Sequence, residues 1–102
     1  MSRIDIALDH IITAGARHRK GMTFADITLD KAFLWVYSEL AELVDAVNNA
    51  KFLGKARADG LEERAVVQAT LKIVDRLIGL RDDEIDAEGA RKLNLRWGIN
   101  NA

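Results

Sequence analysis

The chain has 102 residues, 49% apolar and 30% charged, with a formal net charge of −1, no proline and no cysteine. The near-neutral balance argues against electrostatic binding to duplex nucleic acid or to an anionic membrane, and the lack of cysteine excludes disulfides and thiolate metal sites. One domain spanning residues 1–102 is expected, and a chain this short buries so modest a fraction of its surface that oligomerisation would help it.

Alanine, leucine and long charged residues are frequent, which is helical composition, so the expected fold class is all-α. No stretch approaches a membrane span, and Met1, Ser2, Arg3 and Asp5 open the chain without an apolar run of signal length. The expected location is the cytoplasm.

A first helix is predicted over residues 3–19, with Ser2 as N-cap and Ile4, Leu8, Ile11 and Ile12 recurring at helical steps. His10 and His18 fall in this segment, too far apart for the adjacent-turn pairing of a metal-binding histidine pair, and read as exposed or hydrogen-bonded side chains. Gly21 to Thr28 reads as a connection, with Thr28 or Asp26 capping the next helix. The basic run Arg17, His18, Arg19, Lys20 reads as a solvated helix C-terminus, with a phosphate contact as the sharper alternative.

The second helix is predicted over residues 29–50 and contains WVYSELAELVDAV. On a helical wheel Leu29, Val36, Leu40, Leu43 and Val47 share one face, with Phe33 and Val44 beside them, and this is the expected core stripe. Glu39 falls at its edge, and Glu42 lies just beyond in line with Trp35 and Ala46. Two acids three residues apart at the border of an apolar stripe suit the lip of a site between helices. A solvated pair is the alternative. Trp35 is a candidate for stacking on a base or walling a pocket, with ordinary packing as its alternative.

Residues 51–60, KFLGKARADG, read as a loop that turns the chain back antiparallel. A third helix is expected over 61–80, apolar over nearly half its circumference and so placed inside a bundle or a subunit interface. Asp75 sits at one border of that surface, and Gly79, one turn later, is predicted to permit close packing or ligand approach. A last helix is expected over 84–97, ended by Gly98. There is no glycine-rich phosphate loop and no motif supporting a serine–histidine triad.

The order of helices, with SELAEL on the second, LKIVDRLIGL on the third and KLNLRW near the end, resembles the MazG-like all-α nucleoside triphosphate pyrophosphohydrolase superfamily, which includes dimeric dUTPases and dCTPases. The resemblance runs from about residue 29 to residue 97. It implies a four- to five-helix antiparallel bundle that is oligomeric, a dimer or tetramer. It also implies hydrolysis of a nucleoside triphosphate to the monophosphate and pyrophosphate, with Mg2+ held by an EExxE motif and a following ExxD motif. Glu39 and Glu42 match the last two acids of EExxE, and Ser38 stands where the first would be. Asp75 matches the Asp of ExxD, and Lys72 stands at its Glu. The implied metal ligands and catalytic residues are therefore Glu39, Glu42 and Asp75. Trp35, Lys72, Lys92, Asn94 and Arg96 are the implied substrate contacts, the last three from a loose match to a Lys–Asn–Arg signature. Lys72 departs most from the pattern: its ammonium could replace part of the cation's charge, pair with Asp75 or Glu42 and disable the site, or point away while Glu62 or Glu63 supplies a ligand. The alternative to an enzyme is a catalytically degenerate nucleotide-binding or helical interaction protein of the same fold.

Overall fold

Chain punctuation and capping residues decide where each helix begins and stops in the computed structural model, which describes residues 2–18 and 21–98. Helix α1 (Arg3–Ala14) opens with a capping box, in which Asp5 N–H donates to Ser2 Oγ at 3.1 Å and Ser2 N–H donates back to Asp5 Oδ2 at 3.3 Å. It stops five residues before the predicted end at residue 19, because Gly15 takes a left-handed φ of 60° and the N–H of Ala16 closes onto Ile11 O at 3.1 Å. Of the basic run, Arg19 and Lys20 lie outside the described residues, and Arg17 donates to the carbonyl of Gly21 at 2.9 Å. The connection holds a 3₁₀ turn (Phe24–Asp26) fixed by Thr23 N–H donating to Asp26 Oδ2 at 2.8 Å.

Helix α2 (Leu29–Asn48) is capped by Thr28, whose hydroxyl accepts from Lys31 N–H at 3.3 Å. Helix α3 (Leu53–Ile78) begins eight residues before the predicted start at Leu61. The segment read as a loop is helical because it contains no proline, is rich in good helix formers, and carries a Lys55–Asp59 ion pair one turn apart at 3.0 Å. Gly60 has a packing reason: a Cβ there would meet Val47 Cγ2 at 3.3 Å, so its absence lets α3 approach α2 closely. Gly79 corrects the opposite expectation. It caps α3 at φ 75° with open space where a Cβ would stand, so it serves the left-handed cap and not close packing. Helix α4 (Asp82–Arg96) follows after a short turn, and no residue of it is buried.

These four α-helices make an all-α fold, with no strand longer than an isolated bridge among the described residues. Helices α2 and α3 pair as an antiparallel hairpin, and α1 packs where α2 begins and α3 ends, so that Leu8, Ala32, Ile73 and Val74 form the core. None of the helices is long and apolar enough to cross a membrane, among the described residues.

Helix α2 presents a different face from the one its wheel suggests. The face toward α3 carries Ala32, Trp35, Val36, Glu39, Leu43 and Ala46, all buried or half-buried. Leu29, Phe33, Leu40, Val44 and Val47, most of the expected core stripe, are exposed. Close approach explains the rotation: Ala32 and Ala46 on α2 and Gly60 on α3 leave little room between the axes, whereas larger side chains would hold the helices apart.

The ends of the fold are joined by ion pairs. Lys72, 6% exposed, donates to Asp5 of α1 at 3.2 Å and to Asp82 in the first turn of α4. Arg76 reaches Asp9 at 2.7 Å and Asp5 at 3.3 Å. Asp5 is held well below the ordinary carboxylate range by the Ser2 hydroxyl first, and then by Lys72 and Arg76, against the opposing effect of burial. Lys72 is raised by its bond to Asp82, despite desolvation.

Candidate functional site

Antiparallel pairing brings acids from two helices together. Glu39 and Glu42 lie one turn apart on α2, and Glu63 faces them from α3. One carboxylate oxygen from each lies within 4.8 Å of the other two. Opposite oxygens around an octahedral Mg2+ stand about 4.2 Å apart, so small rotations of flexible glutamates would suffice to close the set. Three hard oxygen donors without histidine or cysteine suit Mg2+, Mn2+ or Ca2+ in preference to Zn2+. On donor chemistry, therefore, the residues fit the cation that the sequence resemblance implies.

The electrostatics of the group are those of crowded like charges. Desolvation raises Glu63 above its ordinary value, and the charge of Glu42 and then of Glu62 adds to the effect. A hydrogen bond with Glu42 and the charge of Asp59 contribute in the same direction. A cation placed among these groups would relieve that repulsion.

The carboxylates line a cavity of about 340 Å³ whose wall includes Glu39, Glu42, Ser38, Trp35, His18 and Thr70. The Thr70 hydroxyl donates to Val67 O at 2.8 Å, which leaves its lone pairs available to accept. Next to this cavity is a larger apolar one of about 430 Å³, lined by Leu8, Ile11, Met22, Phe24, Ile27 and others. The two share Trp35, His18 and Ile73, so an apolar chamber and an acidic one meet at one wall. His18 stands edge-on to Trp35 with ring centroids 5.0 Å apart, which fixes the indole as part of that wall.

Asp75 does not join Glu39 and Glu42. It stands a dozen residues beyond Glu63 on α3, about 18 Å along the axis, and lines a separate cavity with Lys72, Asp82 and Ile85. Burial raises Asp75 first and the charge of Asp82 second, while Lys72 opposes both. Lys72 does not reach the acidic cavity either, since its ammonium is engaged by Asp5 and Asp82. Lys92, Asn94 and Arg96 lie on α4 and line neither chamber; Lys92 borders a surface groove with Leu80, Ile85 and Glu88. Trp35 lines both chambers.

Glu63 was the residue to find, and the register of the hairpin held the signal. Counted from Lys51 in the turn, Glu39 and Glu63 are each twelve residues away, whereas Asp75 is twenty-four. Reading residues 51–60 as a loop hid this symmetry. No family model, no curated protein and no solved structure matches this chain.

Proposed function

We propose that this protein is a metal-dependent nucleoside triphosphate pyrophosphohydrolase, releasing pyrophosphate and a nucleoside monophosphate, and that it works as a homo-oligomer. The observation that carries the reading is the convergence of Glu39, Glu42 and Glu63 beside an apolar chamber walled by Trp35. It rests on the sequence resemblance together with that geometry. Within it, Glu63 replaces Lys72 as the glutamate of the second acidic motif, with Val66 three residues on where an aspartate would stand. Glu39, Glu42 and Glu63 are then the cation ligands, and Asp75 belongs to the ion-pair region instead.

A bound Mg2+ would neutralise charge on the triphosphate and acidify a water. The chain's own part is binding, orientation and proton transfer. Glu39 and Glu42 present carboxylates from one helix face, so that phosphate oxygens and a water can gather around a shared centre. Glu63, raised by burial and by Glu42, is the strongest base of the three and takes the proton of the attacking water. Trp35 and the apolar chamber exclude water from the base side and offer a stacking face.

The test is pyrophosphate release from a panel of canonical and modified nucleoside triphosphates, with and without Mg2+. Wild type should turn over only with the cation, and Glu42→Gln and Glu63→Gln should each abolish it while Asp75→Asn leaves it largely intact. No turnover on any substrate would sink the reading. One observation favours a second reading, a non-catalytic helical interaction protein of this fold: Ser38 replaces an acid of the first motif while the outward face of α2 is apolar and exposed. Nucleotide binding without turnover, or neither, would support it.

A further inference from the structure

The outward face of α2 is built for a partner. Taking 100° per residue, Phe33, Tyr37, Leu40, Val44 and Val47 fall within about 80° of one another, flanked by Leu34 and Ala41. Between Lys31 and Val47 no charged residue enters this sector. The five are 40% to 67% exposed. Their spacing is 4-3-4-3, the repeat of a coiled-coil seam, over a length of about 21 Å. An uninterrupted apolar band of that kind marks an interface on a water-soluble chain.

The surface area identifies the occupant. The chain exposes 7829 Å², whereas a compact monomer of its 11.3 kDa exposes about 5,700 Å². The excess of about 2,100 Å² per chain is what an obligate homodimer hides, since such interfaces bury about 2,000–5,000 Å² in total. The Cα radius of gyration, 16.3 Å against about 13 Å for a compact domain of this length, reports the same missing neighbour.

We infer that two copies of this chain pair through this face, α2 against α2 of the partner, antiparallel about a two-fold axis passing between Ser38 and Glu39. In that register Phe33 meets the partner's Val44, and Tyr37 meets the partner's Leu40, each contact occurring twice. Parallel pairing would set Asp30 of each copy side by side at the edge of the seam and align the helix dipoles, and antiparallel pairing avoids both. Glu42 lies on the far side of α2 from the seam, so the acidic cavity stays open in the dimer. This takes up the self-association in the reading above and specifies its surface, without depending on the hydrolase chemistry.

The test is mass by light scattering together with cross-linking. Wild type should run at twice the chain mass, and Leu40→Glu, which buries a charge at two symmetry-related positions, should weaken self-association by at least about a hundredfold while keeping its helical circular dichroism. Because that variant can also fail to fold, cysteines supply an independent measurement in a chain that has none. Oxidised Phe33→Cys/Val44→Cys should form a covalent dimer, and neither single variant should. A monomeric wild type, a dimer that survives Leu40→Glu, cross-linking by either single cysteine, or none by the pair would each overturn the inference. A dimer without turnover leaves it standing and removes only the hydrolase reading; a monomer with turnover does the reverse.

Discussion

Helix α3 carries two clusters of charge, about 14 Å apart along its axis, that are built on opposite plans. Around Lys72 and Arg76, cations and carboxylates alternate, and the pairs draw Asp5 down and Lys72 up. Around Glu63 the neighbours are other acids, and Glu63 is pushed up. In the first cluster each ionised form is stabilised by folding; in the second the charge is made harder to hold. A helix that only needed to be soluble would have no reason to gather acids against an apolar wall, whereas a cation site has one. The contrast separates a structural clamp from a candidate site, though both are clusters of charged residues on one helix.

The comparison can be broken most forcefully at Lys72. Lys72→Met leaves Asp5 without one of its cations and unfastens the first turn of α4, and should destabilise the protein by about 2–3 kcal/mol in chemical denaturation. That is below the 3–5 kcal/mol typical of a broken buried pair, because Asp82 is largely solvated. No loss of stability would mean that the cluster clamps nothing.

Acid should act on the same cluster. Asp5 is depressed in the folded state from an ordinary value of 3.8, so its stabilisation is complete above that value and drains away as the pH falls below about 4. Asp5→Asn should flatten the acid limb of the stability profile, and an unchanged limb would show that other carboxylates govern it. A smaller effect is expected at the cap. Ser2→Ala removes the hydroxyl that accepts from Asp5 N–H and should cost about 1 kcal/mol, read as a lower thermal midpoint.

The smallest effect should have the opposite sign. Because Glu63 is raised in the fold, ionising it opposes folding as the pH climbs above 4.5, so Glu63→Gln should slightly raise the melting temperature at pH 7 without metal. Adding Mg2+ or Mn2+ should raise the wild-type midpoint and leave that of Glu63→Gln nearly unchanged. A lower metal-free midpoint for the variant would show that Glu63 is a structural acid like those around Lys72.

Much of the architecture is legible in single residues. Ser2, Thr28 and Gly79 mark helix ends, and the caps stand where local chemistry puts them. The early stop of α1 at Gly15 is also local, but its signal competes with the apolar and basic residues that continue the pattern. The start of α3 was obscured because Gly54 and Gly60 resemble turn residues until Val47 is seen to press against Gly60.

By itself, the sequence determined an all-helical chain, the positions of most caps, and a pair of acids on the second helix, because caps, periodicity and i, i+3 spacing involve only near neighbours. Which face of α2 turns inward, which acid completes the group and where Lys72 finds its partners were decided by tertiary structure. Those outcomes depend on how closely two helices can approach and on the register of the hairpin. Small residues on α2 and α3 won the inner face, the turn at Lys51 brought Glu63 rather than Asp75 to Glu39 and Glu42, and the larger apolar residues of α2 were left facing outward.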